Sequence, residues 1–408
     1  MSKAVYAIAT MDTKGEEIAY VAQCLRAAGA SVKTVDVGTQ TPPSVTPNVT
    51  RAQVVASQTD STGEITDQSD RGEAVTAMGE ALCTYLLAEC EAGRVAGVLG
   101  IGGSGGTALI TAAMRALPIG LPKLMVSTVA SGNTAPYVDS SDITMMYSVV
   151  DVAGLNAVST RVLANAAHAM AGMVAHDVPN NESRPTLGMT MFGVTTPCVT
   201  AVREALEAKG FDCLVFHATG AGGRAMEKLV ASGLIQGVLD ITTTEVADEV
   251  VGGVFPAGAE RFDAIVEKGI PYVVSAGALD MVNFGAQETV PPQFADRTLH
   301  VHNAQVTLMR TTAEENRECA SWIASKLNQA TAPVTVLIPE GGVSLLDVPG
   351  QAFHDPQADA ALFDELESAL ADNAHCRVVR SPHDVNATEF SAQLVDEFLA
   401  LMPSSTTT

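Results

Sequence analysis

The sequence has 408 residues and a mass of 42.2 kDa, which at about 150 residues per domain predicts two to three domains with cores of their own. Lysine and arginine number 23 against 46 aspartates and glutamates, and the resulting charge of −23 argues against nucleic acid as a main partner. Hydrophobic residues at 47%, charged residues at 17% and 34 glycines describe a compact α/β protein, not a disordered chain.

Short apolar runs alternate with helical patterns, the rhythm of a parallel sheet covered on both faces. Val5 to Ala9 reads as a strand, residues 15 to 28 as a helix ending at Gly29, and Val32 to Val37 as the next strand. Residues 38 to 70 are rich in Thr, Ser, Pro and Asp and too long for an ordinary connection, so they are expected to form a functional excursion or a mobile flap. A helix at 71 to 92, a strand from Val95 to Ile101, a helix at 106 to 116 and strands at Lys123 to Val129 and Ile143 to Tyr147 follow. Ser148 and Asp151 fit a capping box, and Val152, Leu155, Val158, Val162, Ala166, Met170 and Met173 recur at helical spacing, which predicts one long helix over 151 to 173.

The polar stretch His176 to Pro185 marks a domain boundary. It separates an N-terminal lobe at 1–180 from a C-terminal lobe at 186–408. The second lobe carries strands near 187–192, 211–216, 236–240, 271–275, 298–301, 334–338 and 377–380, with helices between. The expected architecture is α/β, two Rossmann-like lobes of mainly parallel sheet with a cleft between them, because such sheets bind ligands beyond the carboxyl ends of their strands. Seven cysteines without a CxxC pair, mostly in apolar segments, read as free thiols in a reducing compartment. The apolar start is too short for a signal peptide and no stretch reaches about 18 apolar residues, so a cytoplasmic location is expected.

The sharpest local pattern is a strand running into Gly102, Gly103, Ser104, Gly105, Gly106 and Thr107 and then an apolar helix. Backbone amides can approach an anion there without a Cβ in the way, and the helix start adds about half a positive charge. The turn reads as a phosphate or carboxylate site, or as a tight connection without a ligand. Gly100, Gly102 and Gly105 match the dinucleotide fingerprint, but not on the first strand, and the next strand ends in Ser127 and Thr128 instead of an acid. Gly106 stands where a Walker A lysine would precede Thr107. Asp12, Thr13 and Lys14 follow the first strand at the same sheet edge. Lys14 is placed to balance a phosphate and Asp12 to support a magnesium ion, unless Asp12 or Thr13 caps the helix. A third turn, with Ser131 and Asn133, offers uncharged hydrogen-bonding groups.

In the second lobe a glycine turn at 220–223 follows His217, a candidate acid or base. Glu245 and Asp280 put carboxylates at two more strand ends, as metal ligands, general bases or helix caps. His300 and His302 form a possible metal pair on one strand face, but spacing fixes no third ligand, so no metal site is assigned. No GxSxG elbow supports serine hydrolysis.

At DTKGEE (12–17), GIGGSGGT (100–107), MVSTVASGNTAPYV (125–138), MMYSVVD (145–151), GMTMFGVTTPCV (188–199), VFHATGAGGRAMEKL (215–229), GALDMVNFG (277–285), HNAQVTLMRT (302–311) and IPEGGVSLLD (338–347) the sequence resembles a family. These are the bacterial and fungal proteins similar to the amino-terminal, ATP-binding half of the tomato mosaic virus resistance protein. The resemblance covers nearly the whole chain. It implies two Rossmann-like lobes, ATP as ligand and a homodimer. Carried over residue by residue, it places ATP at Gly102 to Thr107, beside Asp12, Thr13 and Lys14. Plant members also carry a C-terminal TIM-barrel domain, which leaves room for a separately encoded barrel partner here. The family supplies a ligand more than a reaction. The expectation is therefore an ATP-binding enzyme acting on a small organic acid, with His217, Glu245 and Asp280 as its acid or base groups. The alternatives are a regulatory module that binds ATP without consuming it, and a nicotinamide-dependent oxidoreductase resting on glycine spacing alone.

Overall fold

Strands buried on both faces must be apolar along their whole length, and that is how most strands of this chain read. The computed structural model describes residues 3–58, 71–176 and 184–402. Residues 59–70 of the polar excursion and 177–183 of the boundary lie outside them. The chain divides into two compact units, one ending at Asn180 and the other beginning at Asn181.

The first unit runs β1 (Ala4–Ala9), α1 (Met11–Ala27), β2 (Val32–Asp36), α2 (Arg51–Val55), α3 (Arg71–Glu91), β3 (Val95–Gly102), α4 (Ser104–Ala116), β4 (Lys123–Ser127), α5 (Ala135–Val138), β5 (Thr144–Tyr147) and α6 (Ser159–Ala175). Its five strands are parallel in the order β2-β1-β3-β4-β5. Tyr6, Ile8, Val98 and Met125 face α3 and α4, and Val5, Ala7, Leu99 and Val126 face α1 and α6. The strand pattern is period two within each run, but both faces are apolar, so the alternation is hidden in the sequence.

The helix expected from residue 151 begins instead at Ser159. Val149 adopts a left-handed φ of 67°, and the Ser148 hydroxyl donates to Val150 O instead of capping a helix. Lys14 Nζ then donates to Val152 O at 2.5 Å and Glu17 Oε1 accepts from Gly154 N at 2.5 Å. Those contacts engage backbone groups that a helix over 151–158 would have used itself.

The second unit runs β6 (Thr186–Met191), α7 (Thr196–Glu207), β7 (Asp212–His217), α8 (Ala221–Ala231), β8 (Gly237–Thr242), α9 (Thr244–Val251), α10 (Asp263–Lys268), β9 (Tyr272–Gly277), β10 (Met281–Phe284), β11 (Leu299–Asn303), β12 (Val306–Arg310), α11 (Ala313–Leu327), β13 (Val334–Pro339), α12 (Pro356–Leu370), β14 (Cys376–Ser381) and α13 (Thr388–Leu401). Six strands form a parallel sheet in the order β14-β13-β9-β8-β6-β7. The other three form an antiparallel sheet, β10-β12-β11, inserted between β9 and β13. Helices α9 and α11 pack on one face of the main sheet around Val274, Val336 and Ile338, and α7 and α13 on the other around Leu239, Val273 and Leu337. The fold is therefore mixed α/β with two parallel sheets flanked by helices. All seven cysteines are free, with Cys198 and Cys319 buried. Among the described residues no helix is long and apolar enough to cross a membrane.

Candidate functional site

In the first sheet the chain leaves β1 toward β2 on one side and leaves β3 toward β4 on the other, so β1 and β3 bracket a topological switch point. A crevice beyond the carboxyl ends of two strands that diverge in this way is the expected ligand position. Two helix starts meet there, α1 after β1 and α4 after β3.

The N-cap of α4 is Gly103, with no side-chain cap, and the first intrahelical bond runs from Thr107 N to Gly103 O at 2.8 Å. The amides of Ser104, Gly105 and Gly106 therefore precede any intrahelical acceptor. Gly102 is demanded by the fold, since a Cβ there would lie 3.0 Å from Gly106 C and Thr107 N. Gly103 and Gly105 are not. A Cβ would meet only Thr128 Oγ1 at 3.8 Å at the first and nothing within 4 Å at the second. The space over this turn is left open by the protein itself. Beneath it Thr107 Oγ1 and Ser127 Oγ share a buried hydrogen bond of 2.6 Å.

The other first-unit candidates divide. Asp12 stands in the first turn of α1, its Oδ2 accepting from Gln40 N at 3.2 Å and its Oδ1 buried without a partner. Thr13 bonds Thr10 through its hydroxyl. Lys14, with non-helical φ of −133°, turns to Val152 O as described above, so its ammonium already has a carbonyl partner. Asn133 Oδ1 accepts from Ala135 N at 3.1 Å and so starts α5, while Ser131 is exposed. The carboxylate that ends β2, Asp36, is 1% exposed and is consumed by Met11 N, Gly38 N and Arg51 Nε. It has no face to offer a ribose.

In the second unit the glycine turn after β7 differs from the first in one respect: an internal carboxylate fills it. Glu245 Oε1 accepts from Gly220 N at 2.6 Å and Gly223 N at 3.1 Å, and Oε2 accepts from Arg261 Nε at 3.2 Å. Arg261, 2% exposed, also binds Glu227 and Asp240, and Tyr272 OH donates to Asp240 Oδ2. Three carboxylates thus surround one guanidinium. Burial pushes the Glu227 carboxyl up to about 7, although Arg261 and the Phe262 amide pull it down. His217 stays exposed at the end of β7, edge-on to the Phe192 ring at 5.4 Å. Asp280 belongs to another cluster. It is fully buried, accepts from Ser344 Oγ at 2.7 Å and lies near Arg310, which also binds Asp347 and Asp359. Burial raises all three carboxyls of that cluster.

The structure thus keeps His217 and Glu245 at one turn and places Asp280 in a separate network. Of the two histidines on β11, which is irregular between Val301 and Asn303, His300 packs on Phe353 and His302 lies 4.0 Å from the position a Gly193 Cβ would take. Among the described residues no group of three His, Cys, Asp or Glu side chains is arranged to hold a metal ion. Arg261 and Arg310 organise the second unit; Arg261 lies in no quoted motif, and Arg310 lies in HNAQVTLMRT (302–311) without any local signal of its ion pairs.

Comparison with known proteins puts a family on this architecture. Residues 3–179 match the N-terminal domain, and 184–402 the C-terminal domain, of an uncharacterised protein family (UPF0261). A UPF0261 protein of Rhizobium meliloti is 53% identical over 393 residues, covering 96% of this chain and 98% of the relative. A UPF0261 protein of Clostridium tetani is 45% identical over 405 residues, covering 98% and 100%. The ToMV resistance protein Tm-1(GCR237) of Solanum lycopersicum is 54% identical over 343 residues, which is 82% of this chain and 45% of the tomato protein. A solved structure, the glycosyltransferase SnogD of Streptomyces nogalater, aligns over 99% of this chain and 96% of that one at 10% identity and a TM-score of 0.19, too low to carry an argument. On the two domain matches and these identities, the chain belongs to the UPF0261 family.

Proposed function

We propose that the protein binds ATP through its first unit, with the triphosphate on the turn Gly102–Thr107. The observation that carries this reading is the uncapped start of α4 at the switch point between β1 and β3, where three backbone amides and an open space over Gly103 and Gly105 await an anion. Asp12, with one buried oxygen lacking a partner, would support a magnesium ion that accompanies the triphosphate. Lys14 would have to give up Val152 O to reach a phosphate, so its part in binding comes second to that of the amides.

The reaction read for the whole protein is ATP-dependent chemistry on a small organic acid, in the cytoplasm and as a homodimer, with His217 as the exposed acid or base of the second unit. Glu245 would act there by fixing the turn beside His217, and Asp280 by holding the Ser344 loop. A second reading, a module that binds ATP without consuming it, is favoured by the full engagement of Glu245. A barrel partner encoded separately fits either reading, since the tomato relative extends well beyond the matched region.

Calorimetric titration with ATP and magnesium tests the site, using a Gly103→Asp variant as comparison. The variant has room for its side chain and a backbone φ of −80° that suits aspartate, so it folds, and its carboxylate repels phosphate. The expected outcome is saturable binding by the natural protein and none by the variant. Absence of binding by the folded natural protein would overturn the reading.

A further inference from the structure

We infer that Tyr147, at the carboxyl end of β5, is the platform on which the purine base of the bound nucleotide stacks. The inference rests on the nucleotide reading above and assigns the base its place within that site.

Three strand ends stand in one registered row, Gly102 beside Ser127 and Ser127 beside Tyr147. Registered neighbours in a parallel sheet project to the same face, and Ser127 identifies that face by its bond to Thr107 of α4. Tyr147 therefore emerges on the same side as the proposed phosphate turn. At about 4.8 Å per strand it lies roughly 10 Å from Gly102. A ribose with its α-phosphate fills such a span.

The ground between the two is a continuous ledge. Thr128 N donates to Gly102 O at 3.3 Å, Val129 N to Ser127 Oγ at 3.1 Å, and Ser148 N to Ser127 O at 3.1 Å. Thr128 is half-buried on it, while Ser127 and Ser148 are buried with their hydroxyls committed to Thr107 and Val150 O, so the ledge is small and uncharged, which suits a sugar lying across it. At its far end Tyr147 is 42% exposed and Val149 57% exposed, while Ser148 between them turns inward to Val150 O. A large aromatic left in water at the lip of an anion turn, with no ring packed on it among the described residues, is a stacking surface. Val149 reinforces the point, because a β-branched residue with φ of 67° is strained, and such strain collects where a ligand is held. On the opposite flank the carboxylate that would read a ribose in a dinucleotide fold, Asp36, is consumed internally. The base is thereby directed toward β5 and away from β2.

The test compares ATP with inorganic tripolyphosphate, which has the phosphates and no base, by calorimetry on the natural protein, Tyr147→Ala and Tyr147→Phe. Stacking predicts that Tyr147→Ala weakens ATP by about tenfold or more and leaves tripolyphosphate unchanged, and that Tyr147→Phe retains ATP. Undiminished ATP affinity in Tyr147→Ala overturns the inference and leaves the phosphate site standing. Parallel loss of both ligands also overturns it, by showing that Tyr147 acts on the fold. A natural protein that binds neither ligand overturns the nucleotide reading, and this assignment falls with it.

Discussion

Glu245 is a carboxylate with three donors and no exposed surface, and removing it strands two buried amides and one edge of Arg261. Glu245→Ala is therefore expected to cost about 3–5 kcal/mol, the scale of breaking a buried ion pair from one side. Urea midpoints followed by the fluorescence of Trp322, the single tryptophan of the chain and part of the second unit, measure that cost. His217 sits three residues before the same turn yet is exposed, so His217→Ala is expected to cost under about 1 kcal/mol. If His217 is the acid or base of the reaction, that variant loses turnover and keeps ATP affinity; an equal loss of ATP affinity would assign it to structure or to the nucleotide site. The difference between these two residues was not legible in the sequence. Both follow the same motif logic, but Glu245 is defined by Arg261, 16 residues away, and by amides more than 20 residues away. Glycine turns announce themselves in composition, whereas a buried arginine does not.

At the scale of elements, the parallel strands were legible because burial on both faces writes them as unbroken apolar runs such as Val95–Gly102. The β10 and β12 strands were not. Met281–Phe284 is four residues long with a polar Asn283, and that asparagine is held by Asp248 and Thr244 of α9, contacts no local window contains. The start of α6 failed for a related reason. Val152, Leu155 and Val158 keep helical spacing, yet Lys14 and Glu17 of α1 engage the backbone of 152 and 154. Helix propensity is a weak prior that tertiary bonds override. Glu17 is 3% exposed, so Glu17→Ala leaves Gly154 N without its acceptor. The expected outcome is faster amide hydrogen exchange through residues 152–158, equivalent to about 1–3 kcal/mol of local stability, with β1 and β3 still protected. Unchanged exchange would show that the 151–158 segment is held by its own turns.

For the molecule as a whole, the two units differ in how they store charge. In the first unit Glu89, beside Arg94, Tyr6 and Lys33, is held down at about 2, so it stays ionised through neutral pH. The second unit encloses carboxylates that burial pushes the other way: Glu227 and Asp248 to about 7, and Asp280, Asp347 and Asp359 upward as well. Arg261, Arg310, the Asn283 amides and the Phe255 amide offset the burial only in part. A carboxyl whose folded value exceeds its unfolded one binds protons more tightly in the native state. Its stabilising share is complete below about pH 4 and is lost as the pH rises through 7, at up to about 1.4 kcal/mol per pH unit for each group. Glu315, lowered beside Arg297, acts in the opposite sense, but below the ordinary carboxylate range and so outside this window. Urea midpoints from Trp322 fluorescence are therefore expected to fall between pH 5 and pH 8. Glu227→Gln, which is neutral at both values and keeps a carbonyl acceptor toward Arg261, flattens the fall. A midpoint that rises over this interval would mean that the Arg261 and Arg310 clusters hold their carboxylates ionised, and that the second unit, like the first, is stabilised by paired charge.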